Sequence, residues 1–352
     1  MRFETNDTGL GTGHDVGRDP EPDAGVNGLN QPAEVTSPTP AAAVTATLVA
    51  PPSVFASLIE TTKPGITRLV TITALVGFVM AAVQRTWTFP HLLLTALGCV
   101  VGTALSAAGA NALNQWLERE RDATMDRTAT RPLPQGRLTP RTVFLLGAAL
   151  SAVGVALLWG TVGYIPAVLS LACVVVYTVF YTPMKVLTPM ATFVGTIPGA
   201  LPPLIGWTAA SSAPGYHALL EWGGLSLFIL MTVWQIPHFL AIAWMHKDDY
   251  AKGGFCVLPT QKNGERRTVF TIAAWTILLI PATLAPGWLI PQLGLPYLIV
   301  ASVSGLAFMV LAYRLIRDRT RPSARNLFLG SIMHLPLLLV AMVAVAIVRV
   351  IA

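Results

Sequence analysis

From Ile66 to the C-terminus, apolar runs long enough to cross a bilayer alternate with short polar loops. Nine such runs are present, over 66–83, 91–116, 142–160, 163–182, 190–208, 219–245, 269–289, 294–313 and 327–349. Several contain proline (Pro166, Pro198, Pro237, Pro281, Pro336), which membrane helices tolerate where neighbours satisfy the freed backbone groups. The pattern predicts an all-α polytopic membrane protein, a bundle of about nine transmembrane helices with no strands. Residues 1–52 read differently. They are rich in Gly, Pro, Thr, Asp and Ala, show no apolar periodicity before Ala41, and hold only a short apolar run from Ala41 to Ala50. They are expected to be a disordered tail, with the transmembrane domain over 53–352. The acidic opening lacks the basic start and apolar stretch of a signal peptide.

Composition agrees with a chain that lives mostly in lipid: 53% hydrophobic residues, 11% charged, mean hydropathy +0.62, against about 25% charged in soluble domains. Cys99, Cys173 and Cys256 lie far apart and suggest neither a disulfide framework nor a zinc site. Charge then orients the bundle. Nineteen of the Lys and Arg residues beyond the tail fall on one side, before the first span or in the loops after the second, fourth, sixth and eighth; only Arg85 and Arg349 fall on the other. The positive-inside rule therefore places the N-terminus and those loops in the cytoplasm. The body's positive balance suits an anionic leaflet or an anionic substrate better than nucleic acid.

Two of the cytoplasmic loops also carry acids. If the second span's helix continues to about Met125, Asn114, Glu118 and Asp122 share one face, climbing about 6 Å per step; Asp126 extends the series if the helix lasts that long. An amide oxygen and carboxylates on one face suit Mg²⁺, which prefers oxygen and keeps waters for a phosphate ligand. Arg127 and Arg131 match phosphate oxygens through the guanidinium fork. The loop after the sixth span reads Asp248-Asp249-Tyr250-Ala251-Lys252-Gly253-Gly254, suited to a second Mg²⁺ and a phosphate-covering turn. Lys185, alone in its turn, suits a phosphate as a point charge. Each feature has a plainer reading: a charged helix end, an ordinary turn, a topology signal. His238 and His334 lie within spans, where an ionisable group needs a partner or a function; a hydrogen bond to a neighbouring helix would suffice for either. Trp116, Tyr177, Tyr181, Trp207, Trp234 and Trp244 could line an apolar tunnel, shield a cation by cation–π attraction or anchor the interface.

The Asn-x-x-x-(Asp/Glu)-x-x-x-Asp stretch on such a bundle, with a second acidic loop after the sixth span, resembles the UbiA superfamily of intramembrane prenyltransferases. More specific pieces point to its haem-modifying branch: Met125-Asp-Arg127-Thr128 leading to Arg131-Pro-Leu-Pro, Tyr181-Thr-Pro-Met-Lys185, Gly199-Ala-Leu-Pro-Pro203, Trp234-Gln-Ile-Pro-His238-Phe, and Ser331-Ile-Met-His334-Leu-Pro. The resemblance runs from about Pro52 to the C-terminus. Glu118 stands where many members carry Asp, and Val186 and Ala191 where members often carry Arg and Asn. The resemblance implies transfer of a farnesyl group from farnesyl diphosphate to a vinyl group of protohaem IX (haem B), giving haem O on the route to haem A. It also implies two Mg²⁺ ions, with Asn114, Glu118, Asp122, Asp126, Asp248 and Asp249 as the catalytic set and Asn114, Glu118, Asp122 and Asp249 as metal ligands. Arg127, Arg131, Lys185 and Lys252 would bind the diphosphate, and His238 and His334 are candidates to contact haem. The expected setting is the cytoplasmic (inner) membrane, with haem A synthase a plausible pathway partner. Two other readings stand beside it: a related transferase with an aromatic acid or quinone precursor as acceptor, and a cation transporter. A transporter would place charge near the midplane and on both faces, whereas Glu221 is the body's one external acid.

Overall fold

The computed structural model describes residues 52–352; the tail read over 1–52 lies outside the described residues, save Pro52. Every regular element among them is helical. A short helix α1 (Val54–Thr61) is followed by α2 (Pro64–Ala82), α3 (Phe89–Asp122), α4 (Pro140–Thr161) and α5 (Tyr164–Val175). The last continues through a π-helical stretch, Val176–Tyr181. Then come α6 (Thr196–Ala210), α7 (Trp222–Met245), the short α8 (Lys247–Lys252), α9 (Gly264–Leu289), α10 (Gly294–Asp318) and α11 (Arg321–Ile351). Proline starts several helices, where its missing N–H costs nothing. At α4 and α11 the preceding Thr139 and Thr320 hydroxyls accept from the N–H of Thr142 and Ser323, capping donors that would otherwise be orphaned.

Eight of the described helices are long and apolar enough to cross a membrane. The predicted run over 190–208 departs from expectation. It forms a turn at Ala191–Val194, breaks at Gly195, and resumes as α6, only 15 residues long. At Gly195 the Tyr181 ring packs so close that a Cβ would come within 2.5 Å of Cε2. At 1.5 Å per residue α6 falls short of the hydrocarbon thickness. It is instead held between α2, α5 and α7. Pro202 and Pro203 lie inside α6. Pro202 cannot donate to the Pro198 carbonyl, and the Cys173 thiol fills that vacancy at 3.7 Å.

Outward faces carry exposed Leu94, Leu97, Ile299, Val303, Met333 and Val340, an apolar surface that matches lipid rather than water. Inside, helices approach through small residues, as membrane packing favours. Gly77 and Gly206 sit where α2 meets α6, each against backbone of the other helix. Gly109 and Gly154 do the same where α3 meets α4. The bundle is thus a multi-pass membrane protein whose central helices, α2, α3, α6 and α7, surround the site.

Candidate active site

α3 runs as far as Asp122, so Asn114, Glu118 and Asp122 do share a face, and all three are buried. Each meets a partner from elsewhere in the chain. Asn114 Nδ2 donates to Thr182 Oγ1 (2.9 Å) and Asn114 Oδ1 accepts from Lys63 Nζ (2.5 Å). Lys185 Nζ lies 2.5 Å from Glu118 Oε1, and Arg131 Nη1 is 2.6 Å from Asp122 Oδ2. The π-helical stretch sets this arrangement: Thr182 Oγ1 donates to Tyr177 O five residues back, leaving the hydroxyl oxygen to receive Asn114. π-Bulges recur at functional sites because they re-aim side chains in this way.

The second acidic loop closes over the first. Cys256 N–H donates to Lys185 O (2.7 Å), docking the segment after α8 on the Lys185 turn. Asp249 Oδ1 accepts the Asp126 N–H (2.9 Å), and Gly253 lies close enough to Met125 that a Cβ would come within 2.9 Å of Sδ. Arg127 Nε stands 3.9 Å from Asp249 Oδ2, its guanidinium 5.8 Å from the Tyr250 ring. Asp249 is thus the member of the acid pair that enters the cluster. Asp248 is exposed and makes no ion pair or side-chain hydrogen bond among the described residues.

Asp126 and Lys252 also fall away from the cluster. α3 ends before Asp126, whose side chain is 82% exposed and pairs with Lys252 Nζ at 2.6 Å; it does not extend the face, and that pairing holds Lys252 at the surface. The helix stops because the Thr128 hydroxyl takes the Asp122 carbonyl (2.8 Å), turning the chain toward Arg131. Conversely, Lys63 was absent from the predicted set. It stands in the left-handed region (φ 48°) just before Pro64, a position that swings its side chain across to Asn114. The Lys-Pro pair opening an apolar run was its one signal in the sequence.

Charge balance favours anions here. Lys63, Arg131 and Lys185 face Glu118 and Asp122 as their acidic partners. Burial and then the neighbouring Arg131 lower the Lys63 pKa to about 7, against the pull of Glu118. For Lys185, burial acts to lower the value, but Glu118 and the Tyr181 and Tyr177 phenols outweigh it and the ammonium is held charged. Lys63 gives a pH signature. Above about pH 7 it is neutral in the free protein, so an anion bound beside it must recruit a proton, and affinity falls as pH rises through that value; below it the dependence flattens. Affinity for a phosphate-bearing anion, measured by titration, should therefore fall between about pH 7 and 9 and lose that slope in Lys63→Met.

Beneath the charged cluster a cavity of about 610 Å³ opens between α2, α3, α5, α6, α7 and α11. Asn111, Tyr177, Tyr181, Trp234, Gln235 and His238 contribute to its wall. Tyr177 and Tyr181 stack at 5.5 Å just below Lys185. Trp116, Trp207 and Trp244 do not line it: Trp116 packs on Phe144, Trp207 Nε1 donates to Glu221, and Trp244 is core. His238 and His334 separate cleanly. His334 is engaged between helices, Nδ1 with Ser304 Oγ (2.6 Å) and Nε2 with Thr283 Oγ1 (3.4 Å), and is not part of the cavity wall.

Among the described residues no three His, Cys, Asp or Glu side chains stand close enough to hold a metal unaided. Two buried carboxylate oxygens, Asp122 Oδ1 and Asp249 Oδ2, nevertheless accept no hydrogen bond. Such acceptor-only oxygens fit a hard divalent cation whose remaining ligands come from phosphate and water.

The UbiA prenyltransferase family model matches residues 70–347. The chain is 40% identical over 289 residues to the protoheme IX farnesyltransferase of Solibacter usitatus, covering 80% of this chain and 95% of that one. It is 39% identical to the one from Anaeromyxobacter dehalogenans, covering 81% and 92%. A digeranylgeranylglyceryl phosphate synthase structure shares the fold with a TM-score of 0.68 at 15% identity, covering 84% of this chain and 99% of that one. An Archaeoglobus fulgidus UbiA homologue bound to DMAPP and Mg²⁺ does so with a TM-score of 0.58 at 16% identity, covering 82% and 99%. The helical bundle, the acid-lined end of α3 and these relatives together make the chain a membrane prenyltransferase that belongs to the UbiA prenyltransferase family.

Proposed function

We propose that the chain transfers the farnesyl group of farnesyl diphosphate to a vinyl group of haem B, giving haem O, at the cytoplasmic face of the inner membrane. The observation that carries this reading is the junction of a basic, carboxylate-lined pocket with an apolar cavity walled by His238. The relatives named protoheme IX farnesyltransferase support the choice of substrates. Nineteen-to-two charge asymmetry supports cytoplasmic loops.

In this reading Arg131, Lys185, Lys63 and Arg127 bind the phosphate oxygens, and Asn114, Glu118, Asp122 and Asp249 are the ligands for two Mg²⁺ ions. Bound Mg²⁺ would neutralise the charge that develops on the departing diphosphate. The basic side chains act in the same sense and, being fixed before the reaction, cost no reorganisation. The bond from the allylic carbon to the diphosphate oxygen breaks, and Tyr177 and Tyr181 line the cavity in which the cation forms. The vinyl group attacks that carbon, forming the new carbon–carbon bond. Water then adds to the resulting cation and loses a proton, leaving a hydroxyethylfarnesyl side chain.

Acceptor choice separates this reading from a phenolic acceptor. Diphosphate release from farnesyl diphosphate by the purified protein is expected to depend on haem B and to ignore 4-hydroxybenzoate. Release driven by the phenolic acid alone would retain the diphosphate site and discard haem.

A further inference from the structure

His238 lies on the cavity wall, and its two ring nitrogens are treated differently. Nδ1 is 2.6 Å from Ser331 Oγ on α11. That hydroxyl has a single proton, which it donates to Phe328 O, also at 2.6 Å. The Ser331 oxygen must then accept from His238, which fixes the imidazole as its Nδ1–H tautomer with the lone pair on Nε2. Among the described residues nothing hydrogen-bonds Nε2. The ring plane is set as well: His238 stacks on Trp234 at 4.7 Å and 21°, Trp234 Nε1 donates to Ser331 O (3.1 Å), and the Phe328 ring packs against the imidazole at 5.3 Å.

His334 supplies the contrast. A histidine that only braces two membrane helices satisfies both nitrogens, as His334 does with Ser304 and Thr283. His238 is oriented just as firmly and keeps one nitrogen open toward the cavity. Metal-binding histidines take this form: one N–H is held by a second group, which fixes the tautomer and strengthens the other nitrogen as a ligand.

We propose that His238 Nε2 ligates the iron of the porphyrin acceptor, with Ser331 as its positioning residue. The inference rests on the haem reading above and deepens it. The protein then selects a metalloporphyrin by its open axial position as well as by its shape.

The test compares wild type, His238→Ala and Ser331→Ala in detergent, titrated with ferric haem B and with metal-free protoporphyrin IX. Wild type should show a histidine-ligated haem spectrum. His238→Ala should lose it and regain it with added imidazole, and Ser331→Ala should weaken haem binding about tenfold. Metal-free protoporphyrin IX, which offers Nε2 nothing to bind, should bind all three proteins alike. An unchanged haem spectrum in His238→Ala, or equal losses for both porphyrins, would overturn the ligand assignment. The outcomes also separate the two claims. Wild type that makes farnesylated haem while His238→Ala keeps the spectrum loses only the ligand. Wild type that shows the histidine spectrum but makes no farnesylated haem loses only the reaction.

Discussion

Asp122→Asn is expected to reduce prenyl transfer by about 10³-fold while leaving the protein folded and membrane-inserted. Asp122 ends the acidic face of α3, is 1% exposed, pairs with Arg131 at 2.6 Å and keeps Oδ1 free of any donor. The amide is isosteric and still offers an oxygen to Arg131, so packing survives. What disappears is the negative charge a divalent ion needs, in a buried place where water cannot substitute. Asp126→Asn is the matched control. Its carboxylate stands in solvent, paired only with Lys252, and an exposed pair of that kind is worth at most about 1 kcal/mol. Rates of diphosphate release for the two variants, measured beside thermal unfolding curves, decide the matter. A wild-type rate in Asp122→Asn would remove that residue from the site.

Gly206→Val should fail to accumulate as folded protein. A Cβ at Gly206 would come 1.7 Å from Ala74 O and 2.6 Å from Phe78 N, and one at Gly77 would come 1.9 Å from Pro203 O. These are backbone atoms of helices that meet along their length, so nothing nearby can rotate away. Overpacking of this kind costs about 3 kcal/mol or more, a large share of the typical stability of a domain. Because α2 carries Lys63 at its start and α6 walls the cavity, the damage should reach the site even in molecules that fold. Melting temperature and membrane yield report it directly. Gly305→Ala, at a position where a Cβ meets nothing within 4 Å, should behave as wild type.

Much of this was legible in the sequence, for identifiable reasons. Asn114, Glu118 and Asp122 could be placed on one face because four-residue spacing on an unbroken helix admits no other result. Asp126 could join that face only if the helix ran on, and the helix ends at Asp122, beside a side-chain contact from Thr128 that spacing does not reveal. Adjacent Asp248 and Asp249 point in directions about 100° apart on any helix, and only the docking of their loop on Lys185 and Met125 selects Asp249. His238 and His334 lie at similar depths by residue count. Their faces on α7 and α11 decide which one meets the cavity, and that depends on packing. Lys63 reaches Asn114 across 51 residues of sequence, so no local pattern could join them. The run over 190–208 has the composition of a span, but its helix is interrupted at Gly195 and only 15 residues of it continue.

Farnesyl transfer to haem is read from its product. Membranes containing the protein would be incubated with Mg²⁺, farnesyl diphosphate and haem B, and the extracted haems separated by chromatography and weighed by mass spectrometry. A later-eluting haem heavier by one farnesyl group and one hydroxyl, absent with EDTA and absent in Asp122→Asn, is the predicted result. Haem B recovered unchanged while farnesyl diphosphate is consumed with another acceptor would contradict it.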